Sequence, residues 1–127
     1  MKLLRVDMMQ LKTQFEPVPP MYERLGGRAF IAKLLLEEVP PTCDALGPHN
    51  KLIFAPGLLA GANVTTAGRL SVGAKSPLTG GAKEANAGGT AGDTLPKLDI
   101  KAIVIEGQAR KGEWYILRVK NDSVELL

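Results

Sequence analysis

The sequence predicts a single α+β domain over residues 1–127, built from a mixed or antiparallel β-sheet, one main helix near residues 28–38 and a short second helix. Three observations support this fold class. The length of 127 residues suits one domain. One segment has strong helical periodicity, and strand-like segments lie on both sides of it. These segments do not alternate regularly with helices, as they would in a doubly wound parallel sheet.

The first third of the chain predicts a hairpin followed by the main helix. Residues 4–8 alternate in the manner of a strand, and residues 11–15 suit its antiparallel partner. Prolines at 17, 19 and 20 end this region, because proline cannot donate to a sheet. The helix shows apolar residues at helical spacing, begins at a Gly26-Gly27 pair and stops at Pro40-Pro41; its apolar positions are Phe30, Ile31, Leu34 and Leu35.

The remainder predicts strands joined by turns. After a loop at 42–50, the predicted elements are a buried strand at 51–55, a strand at 69–74, a turn at 76–80 and a β-branched strand at 102–106. Residues 114–119 and 123–126 predict a final hairpin that turns around Asn121-Asp122. Residues 86–97 are ambiguous, with a short helix favoured over 92–97.

Composition excludes several functional classes. The formal net charge is only +3 and the basic residues are scattered, so we expect no nucleic-acid partner. No apolar run approaches the ~20 residues that a membrane span needs, and the N-terminus lacks a signal-peptide pattern, so we expect no membrane association and a cytoplasmic location. Cys43 is the only cysteine, which rules out an iron–sulfur cluster or a four-thiolate zinc site built by this chain alone.

Glycine marks the candidate site. Nine of the 14 glycines lie between Gly57 and Gly92. Within that stretch Arg69 follows Gly68, and Asn86 precedes a second glycine pair. Glycine lets backbone N–H groups approach a ligand, and arginine offers fork-shaped donors to phosphate. The region therefore suits a phosphorylated ligand; from the residues alone, an equally good interpretation is a set of turns and bulges in a small β-rich domain.

Several segments, in this order, resemble the tungsten-containing aldehyde:ferredoxin oxidoreductase family. They are LGGR at 25–28 with AKLLLEE at 32–38, DALGPHNKLI at 44–53, GR at 68–69, KSPLTG at 75–80, ANAGG at 85–89 and AIVIEG at 102–107. The match is best over 26–107. It indicates the first part of the family's N-terminal domain, which is similar to a duplication of one α+β unit; this chain resembles one half of it.

The resemblance implies a cofactor and a set of site residues. Members of the family bind tungsten, or sometimes molybdenum, through two pyranopterins whose phosphates are bridged by magnesium. Carried over to this sequence, Arg69 would contact a pterin or its phosphate, the backbone carbonyl of Asn86 would lie near the magnesium, and Gly88 would admit the cofactor to the backbone. No catalytic residue and no metal-ligating side chain is expected in this chain.

The resemblance also implies partners. The family oxidises aldehydes to carboxylates with ferredoxin as acceptor, but this chain alone lacks the cluster cysteines and substrate domains, so its own enzymatic activity is left open. We expect a tungstopterin- or molybdopterin-cradling module or small subunit that works with a larger cysteine-containing oxidoreductase subunit, and meets ferredoxin only through the full enzyme. The alternatives are a stand-alone homodimeric domain derived from the family, with the 103–105 strand or the 27–36 helix near its interface, and a small phosphate-ligand-binding module.

Overall fold

The computed structural model describes residues 1–121 and 123–127. In chain order the elements are β1 Lys2–Asp7, β2 Lys12–Pro17, a 3₁₀ turn Pro20–Tyr22, α1 Gly27–Glu38, β3 Lys51–Pro56, β4 Leu70–Lys75, β5 Ala82–Ala87, α2 Ala91–Lys97, β6 Ile100–Glu106, β7 Leu117–Val119 and β8 Val124–Leu126. Six strands form one sheet in the order β2-β1-β6-β3-β4-β5, and β7 pairs with β8 separately. The β1–β6 pair is parallel and the other pairs of the large sheet are antiparallel. The predicted mixed-sheet α+β class is confirmed.

Helix α1 covers one face of the sheet. Its inward residues pack on the central strands, and the cluster contains the fully buried side chains Leu3, Phe30, Leu34, Ile53 and Val104. Gly73 in β4 makes the close approach of α1 possible, because a Cβ there would lie 2.6 Å from Cγ2 of Ile31. The apolar residues that occur at helical spacing in the sequence therefore form the surface by which α1 packs on β3 and β4.

The opposite face of the sheet carries a second apolar cluster. Leu4, Val6, Ile100 and Ile103 are buried here, together with Leu95 of α2. The β7–β8 hairpin adds partly buried residues to the same cluster. Helix α2 therefore lies on the face away from α1, and its N-terminal end reaches the segment that precedes β4.

A partly buried ion network ties the C-terminal end of α1 to the sheet. Both outer nitrogens of Arg5 in β1 donate to the Glu38 carboxylate, at 2.7 and 2.6 Å, and its Nε donates to Glu16 in β2 at 2.5 Å. Lys51 forms ion pairs with Glu38, at 3.3 Å, and with Glu106. The hydrogen bond to Glu38 raises the pKa of Arg5 despite desolvation. Burial by itself would raise the pKa of Glu38, but Arg5 and Lys51 together hold it below its ordinary value.

The predicted strands and the main helix are confirmed, with ends that coincide or are shifted by at most three residues. Strand β5 was not predicted at all. The predicted strand over 114–119 is shorter, since only Leu117–Val119 pairs as a strand, and the Asp122 half of the predicted turn lies outside the described residues. Helix α2 begins at Ala91 and includes Pro96 near its end, where one missing N–H interrupts little.

The strand at 103–105, expected near a dimer interface, lies inside the sheet: β6 pairs with β1 on one side and β3 on the other. Within the described residues, no helix has the length and apolar character needed to cross a bilayer.

Candidate functional site

The glycine-rich region forms a surface groove at one end of the β4–β5 hairpin. Because Leu70 pairs with Ala87, Arg69 just before β4 and Gly88 just after β5 lie side by side. The loop 57–68 and the start of α2 form the opposite wall. The groove has a volume of about 310 Å³ and is lined by Val64, Thr66, Ala67, Gly68, Arg69, Gly88, Gly89 and Asp93.

Arg69 is exposed in this groove and held through one edge of its guanidinium. Its Nε donates to the side-chain oxygen of Asn86 on the neighbouring strand. Within residues 1–121 and 123–127 the ion pairs do not include Arg69. A neutral partner on Nε leaves the charge of the guanidinium, and its outer N–H groups, without a carboxylate. This is the arrangement expected of an arginine that binds an anion.

Glycine at 88 and 89 shapes the floor of the groove. A Cβ at Gly88 would lie 3.3 Å from Nη1 of Arg69, so a side chain there would crowd the guanidinium. Gly89 has a φ of +108°, a conformation that other residues rarely adopt, and nothing lies within 4 Å of where its Cβ would be. The two glycines let the chain turn away from β5 and leave the backbone accessible beside Arg69.

The first turn of α2 closes the groove from the other side by direct backbone packing. A Cβ at Gly92 would lie 2.7 Å from the carbonyl carbon of Gly68 and 2.8 Å from that of Arg69. Next to it, the Asp93 carboxylate accepts a hydrogen bond from the Gly61 N–H at 2.9 Å. The backbone on which Arg69 is mounted is therefore held between β5 and α2.

Two residues behind Asn86 complete a hydrogen-bonded chain that sequence reasoning missed. Asn86 Nδ2 donates to Ser71 Oγ at 3.2 Å, and Ser71 Oγ donates to Glu84 Oε1 at 2.7 Å. Ser71 is buried and Glu84 is half-buried. Alternate residues of β5 point to the same face of the sheet, so the pair Glu84 and Asn86 would have been visible in the sequence had β5 been recognised as a strand.

The structure therefore brings together all three sequence-predicted site residues, Arg69, Asn86 and Gly88, although their roles toward a cofactor stay predictions. The predicted role of the Asn86 carbonyl near magnesium is likewise untested. Among the described residues, no three His, Cys, Asp or Glu side chains are grouped closely enough to hold a metal ion. Cys43 lies far from the groove in sequence and packs against the α1 cluster.

Comparison with known proteins matches residues 3–127 to the model of the aldehyde ferredoxin oxidoreductase N-terminal domain. The tungsten-containing aldehyde ferredoxin oxidoreductase of Thermococcus kodakarensis is 45% identical over 102 residues, which cover 80% of this chain and 16% of that protein. The one from Pyrococcus abyssi is 39% identical over 127 residues, covering 98% of this chain and 21% of the relative.

A solved structure shares the fold. The active site complex BamBC of benzoyl coenzyme A reductase, determined with 1,5-dienoyl-CoA, superposes with a TM-score of 0.91 at 31% identity, covering 98% of this chain and 19% of the matched chain. The chain thus spans about a fifth or less of the length of these relatives. The resemblance predicted from the sequence is confirmed: this chain belongs to the aldehyde ferredoxin oxidoreductase N-terminal domain family.

Proposed function

We propose that this chain is a cofactor-cradling module of an aldehyde ferredoxin oxidoreductase-like protein, and that its groove binds the phosphate end of a tungstopterin or molybdopterin. The observation that carries the proposal is the state of Arg69, which is exposed, donates its Nε–H to a neutral amide oxygen, and lies beside the backbone of Gly88. The relatives are named as tungsten-containing enzymes, which supports a tungsten cofactor in the complete protein.

The residues present fit such a group. The guanidinium offers two outer nitrogens to phosphate oxygens, and Gly88 and Gly89 leave the backbone accessible beside it. The Asp93 carboxylate also lines the groove, and its negative charge opposes an anion; its hydrogen bond to the Gly61 N–H offsets part of that charge. We further propose that the backbone carbonyl of Asn86 lies near a magnesium ion on the phosphates. When bound, the cofactor supplies the metal at which the redox reaction occurs, and the residues of this chain bind and orient it.

The proposed ligand is tested with inorganic pyrophosphate as a probe, titrated into the ¹⁵N-labelled chain. We expect saturable shifts confined to the groove, and Arg69→Ala should weaken binding by roughly 10-fold or more, the effect of losing charge-assisted hydrogen bonds. Arg24→Ala is the matched control, because it removes the same charge from an exposed position in another part of the fold. Equal loss in both variants, or none in either, would contradict a specific site.

The cofactor itself is tested by elemental analysis for tungsten, molybdenum, magnesium and iron after purification from the native host. We expect tungsten or molybdenum to co-purify together with the chain and any associated subunit. Metal-free protein that nonetheless carries all of its native partners would contradict the cofactor proposal.

We also propose that other protein completes the enzyme. One cysteine cannot ligate an iron–sulfur cluster, so a larger cysteine-containing oxidoreductase portion would supply the cluster and the contact with ferredoxin. A homodimer is the alternative. Because β6 is a central strand, a dimer would have to use the outer surface of α1, where Leu36 is 78% exposed, or a sheet edge. Light scattering of the isolated chain distinguishes the two: a concentration-independent monomer rules out the homodimer.

A further inference from the structure

We infer that Glu84 is a positioning residue for Arg69, which it orients through a hydrogen-bond relay across Ser71 and Asn86. The inference rests on the proposed function, because an oriented Arg69 is useful only if it receives an anionic ligand. It concerns residues on β4 and β5 that lie behind the groove and do not line it.

The relay has a direction, and the carboxylate at its inner end sets it. An ionised carboxylate only accepts hydrogen bonds, so the Ser71 hydroxyl must give its single proton to Glu84, at 2.7 Å. The Ser71 oxygen then has only lone pairs to offer its other neighbour. It accepts from the Asn86 amide nitrogen at 3.2 Å, which turns the amide oxygen outward.

The outward oxygen of Asn86 is what Arg69 needs, since every N–H of a guanidinium is a donor. With the amide reversed, its NH₂ group would face the Arg69 Nε–H, and two donors would oppose each other. The relay therefore selects one of the two amide orientations. It also holds the guanidinium by its inner edge, so that the outer nitrogens are left for the ligand.

Packing keeps the relay in place. Ser71 is only 3% exposed, so water competes poorly for its hydroxyl. Ser71 and Asn86 are register partners on adjacent antiparallel strands. Glu84 lies two residues before Asn86 and on the same face of β5. The three side chains thus form a short row fixed by the sheet, and only the last one reaches the exposed Arg69.

Glu84 is charged, so a role through the relay and a role through its negative charge alone predict opposite effects when Glu84 is removed. If Glu84 acted on a bound anion only through its negative charge, removing that charge would tighten anion binding. If it acts through the relay, Glu84→Ala should loosen Arg69 and weaken binding. Ser71→Ala breaks the relay without changing any charge, so it should behave like Glu84→Ala. Glu84→Gln keeps an oxygen that can accept from Ser71, but its amide can also flip and present NH₂ instead. Its anion affinity should therefore lie between those of wild type and Glu84→Ala.

The experiment measures two quantities on the full chain: water exchange of the Arg69 Nε–H by ¹⁵N NMR, and the dissociation constant of inorganic pyrophosphate. We expect Glu84→Ala and Ser71→Ala to speed the exchange and to weaken pyrophosphate binding about fivefold, the ratio that corresponds to one hydrogen bond. Lys83→Ala is the control, because it changes the adjacent exposed residue on the other face of β5 and should alter neither quantity.

The outcomes separate this inference from the proposed function. Unchanged Nε–H exchange in both Glu84→Ala and Ser71→Ala overturns the relay, whatever the affinity. Tighter pyrophosphate binding in Glu84→Ala overturns it in favour of a purely electrostatic role. If wild type binds no pyrophosphate while the exchange still accelerates in both variants, the relay stands and the proposed ligand is refuted. Should Ser71→Ala fail to fold, the comparison of Glu84→Ala with Glu84→Gln gives the same decision.

Discussion

Substituting Gly92 by alanine should destabilise the protein, although the same change in an ordinary helix stabilises it. Gly92 lies in the first turn of α2, where alanine would improve helix propensity by about 1 kcal/mol. Here, however, the new Cβ would lie 2.7 Å from the Gly68 carbonyl carbon and 2.8 Å from that of Arg69, with the Gly68 oxygen nearer still. These atoms belong to the backbone, so no side-chain rotation relieves the contact.

The magnitude follows from the missing space. Carbon atoms in ordinary contact lie at least 3.4 Å apart, so relieving the carbon contacts alone requires α2 and the 68–69 segment to separate by roughly 0.7 Å, and clearing the Gly68 oxygen requires more. Because the clash is with backbone atoms, the overpacking cost should fall at the upper end of the usual range of about 1–3 kcal/mol, which exceeds the gain in helix propensity of about 1 kcal/mol. We expect a net loss of about 2 kcal/mol, or a Tm lower by roughly 8 °C for a domain of this size.

Urea denaturation followed by circular dichroism measures this effect, with Gly81→Ala as the matched control. Gly81 is exposed, has no positive φ, and its Cβ would meet only Thr79 Oγ1 at 3.7 Å, so the control should be neutral or slightly stabilising. If Gly92→Ala were as stable as Gly81→Ala, the close packing of α2 on the Arg69 backbone would be refuted. Displacement of that backbone should also weaken pyrophosphate binding.

Three further predictions concern the scaffold. Gly73→Ala should cost about 1–3 kcal/mol in unfolding free energy, since its Cβ would collide with Ile31 of α1; a neutral result in thermal denaturation would show that α1 moves freely. Leu34→Ala should cost about 2–5 kcal/mol because Leu34 is fully buried, and a smaller loss in urea denaturation would mean that the core collapses around the cavity. Glu38→Gln should cost about 1–3 kcal/mol at neutral pH by weakening the pair with Arg5. The folded-state pKa of Glu38 lies below its ordinary value of 4.5, so its contribution to the free energy of unfolding is present above pH 4.5 and is lost as the pH falls through the folded-state pKa. The variant should therefore lose less stability in acid than wild type does. Parallel pH profiles of the two proteins would contradict this.

The elements that could be predicted are those whose own residues carry the signal. Helix α1 has apolar residues at helical spacing between a glycine pair and a proline pair, and the structure begins and ends it there. Strand β6 is rich in β-branched residues because both of its faces are covered, and it lies in the middle of the sheet. In both cases the burial pattern is visible in the residues of the element itself, so the element can be predicted from one sequence.

Strand β5 shows why other elements could not be predicted. Its sequence, AKEANA, has no β-branched or aromatic residue and its burial is low. It becomes a strand because the turn after β4 returns the chain antiparallel along an open sheet edge. That is a property of the neighbouring strand and the turn, so no pattern within residues 82–87 indicates it.

The sequence by itself determined the fold class, the family, and the concentration of glycines around Arg69 and Asn86, because composition, periodicity and motif order are properties of the chain alone. Only the tertiary structure decided that β4 and β5 pair as they do, which places Arg69 and Gly88 in one groove, brings Asn86 into hydrogen-bond contact with Arg69, and aligns Glu84 and Ser71 behind Asn86. The physical reason is that a hydrogen bond between side chains 13 or 17 residues apart depends on strand register, and register is set by pairing across the sheet.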